Sequence, residues 1–121
     1  TTPQPAAQQV AVRAAQMARA TNMRLLGAVE NMSSLVGSGE EIFGSGGGEA
    51  LAAELDVPLL GRIPLDPRLR ESADRGEPLV WSEPDAEASV EIFRLAEAIA
   101  ATRREEGLGI VKPLPVVGAS S

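Results

Sequence analysis

The sequence predicts an α/β fold in which a doubly wound, mainly parallel sheet is flanked by helices. Two short, continuously apolar runs, "MRLLGAVE" over 23–30 and "PLLGRIPL" over 58–65, read as strands buried on both faces. Each follows a segment of helical period, so the order helix–strand occurs twice. Parallel strands joined through helices of this length require right-handed crossovers, which place helices on both sides of the sheet.

The opening "TTPQPAAQQVAVRAAQMARATN" turns helical after two Thr and two Pro, with Pro5 suited to a first turn. Ala6, Val10, Ala14, Met17 and Ala18 recur at steps of three and four and predict the buried stripe, and Asn22 ends the helix. The first strand follows. A glycine-rich loop then leads into "GGEALAAELDVP", a short helix with Leu51, Ala52 and Leu55 on one side, and the second strand follows it. In "DPRLRESADRGEPLV" Asp66 is placed to cap a helix that has Pro67 in its first turn and stops near Gly76. Trp81 falls between this helix and the next, where it is expected to fill the junction as a core residue. The longest helix lies in "SEPDAEASVEIFRLAEAIAATRREEG", with Ser82 or Asp85 as cap, Ile92, Phe93, Ala96, Ile99 and Ala100 on the buried face, and Gly107 as the stop. The charge runs at 68–75 and 103–106 predict solvated helix faces, with Arg70 paired to Asp74. Residues 1–105 are assigned to one α/β unit, and 106–121, with two Pro and three Gly, to an extended or disordered tail.

Composition narrows the function. The 121 residues carry a net charge of −6, and the ten Arg and one Lys are interspersed with carboxylates, which is unlike a phosphate-binding surface for nucleic acid. No apolar run approaches the length of a membrane span, and the chain reads as cytoplasmic with neither nucleic acid nor membrane as partner. There is no Cys and no His, so thiolate metal sites and imidazole bases are absent. Aromatic residues make up only 2%, so burial rests on Ala, Val, Leu and Ile, and two strong strands with few neighbours leave open sheet edges. A separate piece completing the fold is expected, and the start at Thr1 fits a fragment of a longer protein.

In open α/β sheets ligands bind beyond the carboxyl ends of the strands. The first strand ends at Glu30-Asn31, and an Asn amide offers a donor and an acceptor side by side, the pattern that matches the N6/N7 edge of adenine. The second ends in "IPLDP", where prolines fix the backbone and Asp66 presents a carboxylate. An end-of-strand turn and a helix cap account for the same residues without a ligand. The loop "GSGEEIFGSGGGEA" has the glycines of a phosphate loop, but Glu49 and Ala50 follow them where a Walker A sequence carries Lys and Ser or Thr.

Taken together, "ENMS", "FGSGGGE", "VPLLGRIPLDP" and "DRGEPLV", in this order and spacing, resemble the C-terminal half of the Mrp/ApbC iron–sulfur carrier ATPases, relatives of MinD and ParA, over residues 1 to about 101. The resemblance implies the C-terminal half of a P-loop NTPase fold and a homodimer. It implies that Asn31 contacts adenine, with the backbone and ring of Pro64, and Leu65 and Asp66 nearby, on the other side of the base. It places the ATP phosphate and Mg²⁺ sites in an N-terminal half that lies outside this chain, so the full-length protein is the expected ATPase and this chain alone is expected to be inactive. The family's Cys-x-x-Cys pair is replaced here by "SLVGSGEE", which removes the usual iron–sulfur ligands and puts cluster carriage in question. Two further readings stay open: a MinD- or ParA-like positioning ATPase, and a non-catalytic interaction module that supplies a sheet edge and a dimer surface.

Overall fold

The structure is a computed structural model that describes residues 1–105. Its elements are α1 (Pro5–Ala20), β1 (Ala28–Leu35), α2 (Gly47–Leu55), β2 (Leu59–Leu65), α3 (Pro67–Arg75), α4 (Leu79–Ser82) and α5 (Glu87–Glu105). The assigned tail over 106–121, the stop at Gly107 and the side chains of the 103–106 charge run lie outside the described residues.

β1 and β2 pair in parallel, with α2 between them as the crossover. The register sets Ala28 against Leu59, Val29 against Gly61, Glu30 against Arg62 and Asn31 against Ile63. The skipped residue, Leu60, is a bulge that reverses the alternation of β2. Leu59 and Arg62 therefore both face α2, although they are three positions apart. Gly61 faces the other way, where an added Cβ would lie 3.8 Å from Leu95 of α5. Helices thus cover both faces, as the sequence predicts. On one side Ala15 of α1, Ala28 of β1 and Leu51, Ala52 and Leu55 of α2 form a small core.

β1 is not an edge along its whole length. The Thr1 ammonium donates to Val29 O at 2.8 Å, and Thr1 O accepts from Asn31 N at 2.7 Å, the two bonds that bracket one residue in a parallel ladder. The first residue of the chain is therefore one rung of a third strand position beside β1.

Several sequence expectations are corrected by the structure. The buried side of α1 is Ala15, with Ala11 and Val12 beside it, whereas Val10 and Met17 are 66% and 67% exposed. In a helix rich in alanine two stripes satisfy the same period, and contact with α2 selects one of them. The first strand starts at Ala28, not at 23, and runs on through the polar residues 31–34, because β2 offers pairing there. Trp81 is 79% exposed, and Leu79 fills the junction instead. α5 begins at Glu87, so neither Ser82 nor Asp85 caps it. Its buried positions are Ala88 and Ser89, while Phe93 is 47% exposed and Ala96 is also exposed. Among the described residues no ion pair joins Arg70 to Asp74; Arg68 carries the pairs of that helix start.

Candidate functional site

The carboxyl ends of β1 and β2 lie side by side, and the polar residues singled out in the sequence gather there. After Asn31 pairs with Ile63, the next matched pair is Leu35 with Leu65, so three residues of β1, Met32 to Ser34, arch out against one of β2. The arch is built from local chemistry. Met32 adopts a left-handed φ of 56°, uncommon for a side chain of this kind, and its N–H donates to Asn31 Oδ1 at 2.8 Å. Ser33 Oγ donates to Ile63 O at 3.3 Å, and Val36 N donates to Leu65 O at 3.1 Å, so both feet of the arch stand on β2.

Asn31 is exposed at the base of this arch. Its Oδ1 holds the Met32 amide and keeps one lone pair, and among the described residues nothing accepts from its Nδ2. One acceptor and one donor are thus presented outward, which is the chemistry needed for the N6/N7 edge of adenine. Pro64 is buried and Leu65 half-buried on the neighbouring strand, giving a rigid apolar edge at the same end of the sheet.

Asp66 is differently placed. It is 3% exposed and caps α3, with Oδ1 accepting from Arg68 N at 2.9 Å. Arg68 Nε donates to Oδ1 at 3.0 Å and Nη2 to Oδ2 at 2.7 Å, while Nη1 reaches Glu83 Oε2 at 2.6 Å. The Arg68 side-chain hydrogen bonds hold the Asp66 carboxyl below its ordinary range, against the opposing effect of burial, and the guanidinium is pushed further upward in turn. Both carboxylate oxygens are engaged inside the chain, so Asp66 shapes the turn after Pro64 rather than offering a free anion.

Sequence reasoning did not single out Glu30 as a buried carboxylate. Its exposure is 2%, its Oε2 accepts from Gly48 N at 2.6 Å, and Arg62 Nε stands 3.6 Å from its Oε1. Arg62 also pairs with Glu49 in the first turn of α2. The signal in the sequence was the cross-strand match of Glu30 with Arg62, which needed the register to be visible. Two glycines of the triplet serve this turn for different reasons. Gly46 has a left-handed φ of 78°, and an added Cβ on Gly48 would lie 2.8 Å from Glu30 Cβ. An anion therefore already sits at the start of α2, and it is the chain's own carboxylate. This geometry does not fit a phosphate, in keeping with the missing Walker lysine. A polar cavity of about 260 Å³ beside it is lined by Glu30, Ser33, Ser45, Glu49 and Arg62 among others. Among the described residues no group of three or more His, Cys, Asp or Glu is arranged to hold a metal, and no helix is long and apolar enough to cross a membrane.

The described residues thus form a crossover α/β unit with a polar arch beyond its carboxyl ends and a helix N-terminus filled by the chain's own carboxylate. The chain belongs to the family described as ParA: NUBPL iron-transfer P-loop NTPase, whose sequence pattern matches residues 1–100. It is 46% identical over 113 residues to the iron-sulfur cluster carrier protein of Mycobacterium tuberculosis, an alignment covering 86% of this chain and 30% of the relative. It is 43% identical over 86 residues to that of Saccharolobus solfataricus, covering 68% and 29%. Among solved structures, the cell division ATPase MinD of Pyrococcus furiosus superposes with a TM-score of 0.69 at 27% identity, over 84% of this chain and 40% of that one. The septum site-determining protein MinD of Pyrococcus horikoshii, complexed with Mg-ADP, gives 0.67 at 27% identity, over 82% and 38%. The chain spans about 30% of the length of the curated relatives it matches.

Proposed function

We propose that this chain is the base-recognising portion of an ATP-binding and ATP-hydrolysing iron–sulfur carrier, working as a homodimer in the cytoplasm. The observation that carries the reading is the strand register, which puts Asn31 against Ile63 and so beside Pro64, Leu65 and the capped turn at Asp66. Asn31 reads the adenine edge, and Pro64 with Leu65 bounds the base. Asp66 holds the backbone between them. Phosphates and Mg²⁺ belong to the part of the fold that carries the P-loop, where positioning and charge stabilisation drive phosphoryl transfer. The names of the relatives support iron–sulfur clusters as cargo. With no Cys in the sequence, this chain holds no cluster through thiolates of its own, and the interval 34–41 serves a derived role.

The test is ATP titrated calorimetrically into this chain joined to a P-loop half from its family, with and without Asn31→Ala. Binding that the substitution weakens supports the reading. Binding that the substitution leaves unchanged removes Asn31 from the base site. No binding by the joined wild-type protein favours the interaction-module reading.

A further inference from the structure

Asn31 does not stand alone at the end of β1. The residue before it, Glu30, points to the opposite face of the sheet and is tied down there by Gly48 and Arg62. Gly48 N–H of α2 donates to its Oε2 at 2.6 Å, Arg62 of β2 pairs with its Oε1 at 3.6 Å, and the bare Cα of Gly48 leaves the space that the Glu30 side chain fills. Arg62 is itself held by Glu49 of the same helix turn. A carboxylate that is 2% exposed is costly to bury unless it is paired, so this position is satisfied in one geometry only.

That geometry bears on the arch. Glu30 and Asn31 form the last two even pairs of β1 with β2, and the left-handed turn at Met32 follows directly. Fixing Glu30 from below fixes the strand direction at the point where Asn31 leaves it. We propose that Glu30 is a positioning residue for base recognition: clamped between the α2 N-terminus and Arg62, it orients Asn31 toward the nucleobase without touching the ligand. The proposal rests on the base-recognising reading above.

The experiment measures Mg-ADP affinity by calorimetry, alongside the melting temperature, in the chain joined to its P-loop half. Five variants are compared: Glu30→Gln, Arg62→Gln, Asn31→Ala, and each of the two clamp variants combined with Asn31→Ala. Glu30→Gln keeps an acceptor for Gly48 and loses the charge, and Arg62→Gln breaks the clamp at a residue 46% exposed, so it tests the idea even if Glu30→Gln does not fold. The expected result is a weakening of about tenfold for each clamp variant, measured at a temperature well below the melting temperature of every variant. Combined with Asn31→Ala, neither clamp variant causes further loss, because it acts through Asn31. If Asn31→Ala weakens binding and the clamp variants do not, or if the losses add in the combined variants, the positioning role is refuted and the base reading stands. If Asn31→Ala itself has no effect, the base reading fails and the inference falls with it.

Discussion

Arg68 grips Asp66 by both carboxylate oxygens, through Nε to Oδ1 at 3.0 Å and Nη2 to Oδ2 at 2.7 Å, while Asp66 caps the helix on which Arg68 sits. The cap and the ion pair are one unit. Replacing Asp66 by Ala removes the cap and leaves Arg68 with Glu83 alone, at a cost of about 0.5–2 kcal/mol for the cap. Urea unfolding of the two proteins would measure it.

The same pair sets a pH dependence. The folded Asp66 carboxyl is held below its unfolded value by Arg68, so its stabilisation is complete above the unfolded value of about 3.9 and is lost as pH falls through the folded one. The stability gap between the parent and Asp66→Asn is expected to be constant near neutrality and to close in acid below about pH 4. A gap that persists unchanged at pH 2 would remove the ion pair from the account.

Two glycines in one triplet should fail for different reasons. Gly48→Ala drives a methyl into Glu30 and is expected to cost about 1–3 kcal/mol as overpacking. Gly46→Ala meets no atom, but its φ of 78° is left-handed, and the cost is about 1–2 kcal/mol of backbone strain. Substituting Ser for Ala adds one more atom and should worsen Gly48 but not Gly46, which thermal melts of the four variants would show.

Trp81 and Leu79 exchange the roles that side-chain size alone assigns them. Leu79 is 3% exposed and Trp81 79%. Leu79→Ala is expected to cost about 2–5 kcal/mol, and Trp81→Ala less than about 0.5 kcal/mol. As the chain's single Trp, residue 81 should emit as a solvated indole before and after unfolding, so its emission maximum should barely move across a denaturant titration.

Much of this was legible in the sequence where a residue acts locally. Asp66, Pro67 and Gly76 mark both ends of α3 because cap, first turn and left-handed stop are each fixed by the residue itself. The αβ order, and with it the family, was legible for the same reason. Non-local choices were not. Val10 and Met17 lie on an α1 stripe as regular as the one that is buried, and only contact with α2 tells them apart. The polar stretch after Asn31 reads as the end of a strand, yet β2 supplies partners to Ser33 and Val36 and the pairing continues to Leu35. Asn31 and the Pro64 turn could be named from sequence. Their adjacency, and the buried Glu30 behind them, required the register.

Thr1 O holds the amide of Asn31. Deuterium uptake at that single amide therefore clocks how often the chain's leading residues peel away from β1. A tag or linker joined at Thr1 attaches at the nitrogen that donates to Val29 O, within one residue of the carbonyl that holds the arch.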